Sequence, residues 1–329
     1  MATTVLIAIS AVFAMISLAV GYSIVFPRQP FKGPLPPLTA EERDLAGRLK
    51  THVRAIASKS HNVQHYKALL AAADYIERTL AGLGLEPVSQ VYEVAGRSVR
   101  NIEVVLGPAP PKRVDATYVI GGHYDSPDDS PGANDNGTGT AAVLELARLF
   151  KDVKLRRTRL RLVLFVNEER PYGKTPDMGS WRHARLMKEV GEPIAGMMSL
   201  ETIGYFSDEP GSQSYPKPFN LAFPTTGNFV AFVGLPGSRR FLRRTVYSFR
   251  SHTAFPAIGG VAPGFLPGID LSDHWSYNQF GFPAIMVTDT APFRNPRYHE
   301  LDDLPDTVDY ESLARITMGL ARVMRAMLD

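Results

Sequence analysis

The hydropathy pattern divides the chain into three unequal stretches. Residues 4–26, TVLIAISAVFAMISLAVGYSIVF, carry no charged side chain. As a helix they would span roughly 34 Å, enough for a hydrocarbon core of about 30 Å. No basic region precedes the run, and GYSIVFPRQ offers no good small-residue cleavage site. An uncleaved anchor over 1–26 is therefore expected rather than a signal peptide. Prolines at 27, 30, 34, 36 and 37 cannot continue a helix and predict an extended stalk over 27–38. From 39 to 329 the pattern is that of one large domain. Thr39 and Glu42 form a capping-box signature for a helix from Ala40 to about Ser58, and a second helix is expected at about 63–81. VSQVYEV and SVRNIEVVL then alternate as half-buried strands. Short apolar strands (ATYVIGG, RLRLVLFV, IAGMMSLE, NFVAFVGL, PAIMVTD) follow, separated by amphipathic helices, the last from about 309 to 327. This order predicts an α/β fold, a three-layer α/β/α sandwich around a mostly parallel, mixed sheet. Ligands of such sheets bind beyond the carboxyl ends of the strands.

The net charge of +3 is too small to argue for a nucleic-acid partner. Basic residues do cluster at 156–161 and 239–250. In the second cluster, RRFLRRTVYSFR, the interleaved Phe241, Val246 and Phe249 predict a helix with one solvated basic face. The chain has no cysteine, which excludes disulfides, thiolate metal sites and cysteine nucleophiles. Any metal must be held by oxygen and imidazole.

The strand ends carry the candidate chemistry. His123 follows ATYVIGG, and Asp125, two residues on, can accept its other ring N–H and fix the metal-ligating tautomer. Asp135 lies in GANDNGTG, where the plain alternative is a turn whose aspartate caps a helix. Glu168 and Glu169 follow RLRLVLFV; alternation at a strand end would point them to opposite sides. Glu201 ends IAGMMSLE, and His299 follows PAIMVTD in RYHELDD. Each residue alone has an ordinary loop or surface explanation. Together they fit a two-metal site: Asp135 bridging, His123 and Glu201 on one ion, Glu169 and His299 on the other. Each ion then has three protein ligands and an open position for a shared water. Three carboxylates and a hydroxide balance two divalent cations. Two Zn2+ suit the imidazole and carboxylate mixture, and Mn2+ or Co2+ is compatible. Glu168 is left free as a general base.

HYDS, GANDNGTG, NEE, LETIGY and YHELDD resemble, in order and spacing, the co-catalytic zinc exopeptidases, including bacterial leucyl aminopeptidases and glutamate carboxypeptidases. Glutaminyl cyclases and the transferrin-receptor ectodomain belong to the same superfamily. The resemblance covers Ala40 to the C-terminus, and SDHWSYNQFGFPAIMVTDTAPF is similar to its membrane-anchored bacterial subgroup. It implies His123, Asp135, Glu169, Glu201 and His299 as metal ligands and Glu168 as general base. Asp125 would be the partner of His123, and Tyr298 a donor to the oxyanion; a strained, cis-capable peptide would follow Asp135. Glu201 stands where several relatives have aspartate. The implied activity is an aminopeptidase that hydrolyses the N-terminal bond of peptide substrates, with Glu168 deprotonating a water held between the metals. RPYGKTPDMGS is expected in the pocket wall. A carboxypeptidase, a glutaminyl cyclase and a non-catalytic ectodomain are the rivals. No arginine group stands out as a C-terminal carboxylate clamp. Tyr298, where a cyclase has tryptophan, together with the complete ligand set, argues against cyclisation. The resemblance implies a single-pass membrane protein with an extracytoplasmic domain, whereas Arg28 and Lys32 would by the positive-inside rule lie in the cytoplasm.

Overall fold

The computed structural model describes residues 21–108, 113–216 and 223–328. Helix α1 (Ala40–Ile56) starts with the capping box: Glu42 N–H donates to Thr39 Oγ1 at 3.1 Å, and Thr39 N–H to Glu42 Oε2 at 2.9 Å. Helix α2 (Tyr66–Gly82) begins later than its apolar pattern suggests. The cause is Asn62, whose Oδ1 accepts the N–H groups of Gln64 and His65 and holds a turn there instead.

An antiparallel hairpin, β1 (Val88–Val94) and β2 (Arg97–Leu106), forms one wing of an eight-stranded sheet. Its centre contains β3 (Ala116–His123), β4 (Thr158–Phe165), β5 (Ile194–Glu201) and β8 (Ala284–Thr288). The other wing is β6 (Val230–Gly234) and β7 (Ala257–Val261), and the strand order is β1-β2-β4-β3-β5-β8-β6-β7. The pairs β3–β4, β3–β5, β5–β8 and β6–β7 are parallel, and β1–β2, β2–β4 and β6–β8 antiparallel. The expected mixed sheet is therefore present. Strand β7 escaped the apolar pattern because two of its five residues are glycines.

Both faces of the sheet are covered. On β4, Leu160, Leu162 and Leu164 join the larger apolar core, while Val163 and Phe165 join a smaller one. Helices α1, α3 (Thr138–Phe150), α5 (Arg239–His252) and α7 (Tyr310–Arg325) contribute to the larger core. Helix α4 (Gly179–Glu189) and the short α6 (His274–Gln279) contribute Ala184, Met187 and Tyr277 to the smaller. This is the expected three-layer arrangement, and the parallel strands β3, β4, β5 and β8 deliver their carboxyl ends to one edge.

The anchor expected over 1–26 falls largely on 1–20, which lie outside the described residues. Among the described residues no helix is long and apolar enough to cross a membrane. At the described end of that run, Phe26 is buried in the larger core. The basic side of α5 also differs from the expected solvated face. Arg239, Arg243 and Arg250 donate to the backbone carbonyls of Tyr22, Val25 and Arg28 at 2.7, 3.3 and 2.6 Å. Guanidinium groups have more N–H donors than a helix surface can use, and here the passing chain supplies the acceptors.

Candidate metal centre

His123 ends β3 with its ring fully buried. Its Nδ1 lies 3.0 Å from the backbone oxygen of Asp125 and 3.6 Å from that residue's carboxylate. The backbone carbonyl, rather than the carboxylate, is thus the closer partner that orients the ring. The Asp125 carboxylate also accepts the N–H groups of Glu168 and Glu169, each at 3.2 Å. This is possible because β4 ends at Phe165 and Asn167 turns the chain with a left-handed φ of 62°. The strand alternation expected for Glu168 and Glu169 is therefore absent; a tethered turn aims them instead.

Asp135 lies in a loop pinned from both sides. Asn134 Nδ2 donates to Asp289 Oδ2 at 3.0 Å, and Asn136 Nδ2 to the Leu200 carbonyl at 2.7 Å. Asp303 accepts the N–H groups of Asn134 and Asp135. The loop presses so closely on β5 that a Cβ at Gly139 would meet Leu200 O at 2.3 Å, so glycine is required there. The Asp135–Asn136 peptide bond is cis. Asp135 does not cap α3: Asn136 Oδ1 accepts the N–H of Gly139 in its first turn at 3.0 Å, and both Asp135 carboxylate oxygens are buried without a hydrogen-bond partner.

Those two oxygens face the two histidines. Oδ1 lies 3.4 Å from His123 Nε2, and Oδ2 3.0 Å from His299 Nε2. Glu201 Oε2 is 3.4 Å from His123 Nε2, and Glu169 Oε1 is 3.7 Å from His299 Nε2. Ligating atoms within 4.8 Å of one another define the trios His123–Asp135–Glu201 and Asp135–Glu169–His299, which share Asp135. A third grouping, His123–Glu168–Glu169, places Glu168 beside both. Glu168 Oε2 stands 3.9 Å from His123 Nε2. Asn167, Thr202 and His299 all take left-handed φ values, which concentrates backbone strain around the cluster.

The donor set fits divalent metal. Burial, reinforced by neighbouring carboxylates, pushes Glu168 up to about 8 and Glu201 up to about 7, and Glu169 well above the usual carboxylate range. Burial also opposes ionisation of Asp135, but the imidazoles of His123 and His299 outweigh it and hold its pKa low. Such crowding of buried acids is costly unless positive charge is placed among them. Unpartnered buried oxygens flanked by imidazoles supply the ligand chemistry zinc prefers.

Three supporting residues had no assigned role in the sequence. Ser272 Oγ donates to Glu201 Oε2 at 2.7 Å, fixing that carboxylate. Asp289 and Asp303 buttress the loop of Asp135. All three orient candidate ligands through contacts distant in sequence. Tyr298 stacks on His299 with ring centroids 3.9 Å apart. Burial and the surrounding carboxylates raise its hydroxyl pKa, so it stays protonated and able to donate.

Beside the cluster opens an apolar cleft reached by Glu201 and Tyr298 and walled by Phe232, Ile258, Met286 and Phe293. RPYGKTPDMGS contributes none of the described residues of this cleft. It lies instead on the opposite strand-end loop, where Arg170, Pro171 and Tyr172 flank Glu169 and Asp125 in a smaller hollow.

The family profile of Peptidase family M28 matches residues 101–324, which include every residue of the cluster. The chain belongs to peptidase family M28. Across this M28 chain, 84% aligns at 34% identity with 86% of the uncharacterized protein YfbL of Escherichia coli K12. Its fold is similar to an aminopeptidase from Aneurinibacillus sp. strain AM-1, with a TM-score of 0.67 at 15% identity, covering 87% of this chain and 96% of that one. It is also similar to a glutaminyl cyclase of Porphyromonas gingivalis, with a TM-score of 0.64 at 17% identity over 86% and 99% of the two chains. At those identities the likeness is one of fold. Function therefore has to be argued from the site.

Proposed function

We propose that the cluster holds two zinc ions and that the protein is an aminopeptidase. The observation that carries this reading is Asp135, whose two buried, unpartnered oxygens each face a histidine of a different trio. His123 and Glu201 would hold one ion and Glu169 and His299 the other. A cyclase working with one metal has no use for both trios. When bound, the ions supply Lewis-acid polarisation of the scissile carbonyl and acidify water.

The chain's own groups do the remaining work. Glu168, outside the two trios that share Asp135 and partly open to solvent, would be ionised by the divalent charge beside it; it then takes the proton of the attacking water and returns it to the leaving amine. Asp125 positions that carboxylate through the backbone of the turn. Tyr298 donates its hydroxyl to the developing oxyanion. The motifs HYDS, GANDNGTG and NEE, which resemble those of bacterial leucyl aminopeptidases, favour an aminopeptidase over a carboxypeptidase. A membrane anchor within residues 4–26 and an extracytoplasmic domain belong to the same proposal and rest on the sequence. Because Phe26 is part of the domain core, the membrane-crossing portion would end ahead of it.

Hydrolysis of leucyl-p-nitroanilide and its N-acetylated form by the zinc-loaded full chain tests the reading. Release from the free amine alone is expected. Equal release from both, or release of C-terminal residues from peptides instead, would remove the aminopeptidase assignment.

A further inference from the structure

The apolar cleft has one wall that does not come from the M28-matched region. Ile24 lines it, together with Ile258 and Gly260 of β7 and Phe232 of β6. The segment carrying Ile24 is built into the domain. Arg239 Nε donates to the Tyr22 carbonyl at 2.7 Å, and its guanidinium lies 4.0 Å over the Tyr22 ring. Arg250 clamps the next residues: its Nη1 reaches the carbonyls of Phe26, Pro27 and Arg28 at 3.5, 3.2 and 2.6 Å. Its Nε and Nη2 hold the Ala257 carbonyl at 3.0 and 2.8 Å. All of these partners are carbonyls rather than carboxylates, and burial lowers the Arg250 pKa to about 10. Phe26 then packs on β7 so tightly that a Cβ at Gly259 would meet its ring at 3.0 Å. On the outer side of the segment Val25 is 60% exposed.

We propose that residues 22–28 are a fixed wall of the substrate cleft, and that Ile24 is a specificity-determining residue. Rigid placement is what a specificity wall needs, since a mobile wall would adapt to any side chain. Three arginine clamps and a buried phenylalanine provide it. Ile24 sets the depth of an apolar cleft that begins at Glu201 and Tyr298. The residue at position 24 therefore limits the size of the apolar side chain accepted in this cleft. The inference rests on the cluster being the reacting centre of an exopeptidase.

The test uses the full chain in detergent, zinc-loaded, with Ile24→Trp and Ile24→Ala. Alanine and phenylalanine hydroxamates are compared by calorimetry, beside hydrolysis of alanyl- and phenylalanyl-p-nitroanilides. Ile24→Trp is expected to weaken phenylalanine hydroxamate at least tenfold relative to the alanine compound, and Ile24→Ala to shift the ratio the other way. Because the chain has no cysteine, Ile24→Cys and Lys32→Cys give clean reporters of docking by maleimide labelling. The thiol of Ile24→Cys should label at least tenfold more slowly than the exposed thiol of Lys32→Cys, and adding Arg250→Met should narrow that gap. Labelling at position 24 as fast as at position 32, or a phenylalanine-to-alanine binding ratio within twofold of wild type in Ile24→Trp, would overturn the proposal. A changed binding ratio without hydrolysis of either anilide would remove the peptidase reading and leave the wall standing.

Discussion

The two banks of the site are built on opposite principles. The bank at the ends of β3, β4 and β5 is polar and over-determined: Asp125, Asn134, Asn136, Ser272 and Asp303 each hold a backbone or a candidate ligand in place. The bank along β6, β7 and β8 is apolar and is shaped by bulk, from Phe232, Ile258, Phe293 and the docked Ile24. Hydrogen-bonded networks fix positions to fractions of an ångström, as reacting groups require, whereas apolar walls fix only volume. The first bank should therefore govern rate and metal binding, and the second which side chain is accepted.

The largest separation of the two should come from Glu168→Gln. It is expected to lower kcat by about 10²–10⁴-fold with metal content unchanged, measured by steady-state kinetics and metal analysis on the same samples. A smaller effect is expected from Glu103→Gln, beneath the polar bank, where Glu103 pairs with Arg161 at 2.9 Å and His183 at 3.3 Å. Burial opposes its charge, but His183 and Arg161 prevail and hold its pKa down to about 2. A depressed carboxylate stabilises the fold above its unfolded value and loses that contribution as pH falls towards 2. Urea unfolding should show the wild type more stable by about 3 kcal/mol at neutral pH, with the gap closing between about pH 4.5 and 2.

Asp125→Asn replaces one acceptor oxygen with an amide that faces an N–H. It should lower kcat by about 10–100-fold, the usual cost of losing a supporting contact to a metal site; an unchanged kcat would show that the turn of Glu168 and Glu169 holds itself. Ser272→Ala, which frees one oxygen of Glu201, should weaken zinc binding by about tenfold, read by competition with a chelator. Ile24→Ala should leave zinc binding unchanged and blur the preference between alanyl and phenylalanyl substrates, and a variant with the wild-type preference would place Ile24 outside the specificity wall.

Much of the polar bank was legible because His123, Glu168, Glu169 and Glu201 lie at or just after strong strand patterns, whereas Asp135 stood out only in a glycine-flanked turn ahead of α3. Their supports were less visible. Asp303 reaches Asn134 across 169 positions, and Ser272 reaches Glu201 across 71; no local pattern announces such pairings. Asp125 was legible as a neighbour of His123, whose Nδ1 its carboxylate approaches at 3.6 Å, but its contacts to the backbone of Glu168 and Glu169 were not, because the left-handed turn at Asn167 depends on backbone geometry that strand alternation does not anticipate. The apolar bank was hidden for a different reason. Phe232, Ile258 and Met286 look the same whether they fill a core or wall a cleft, and Ile24 and Phe26 looked like membrane residues. The arginines of α5 likewise read as a solvated face until the carbonyls of residues 22–28 were in place beside them.

Metal stoichiometry tests most directly whether Asp135 is shared between two metal ions. Native mass spectrometry of the full chain, titrated with zinc, should show two ions per chain, and Asp135→Asn should weaken both together. A wild type that saturates at one ion, or an Asp135→Asn variant that still binds two with unchanged affinity, would contradict the account.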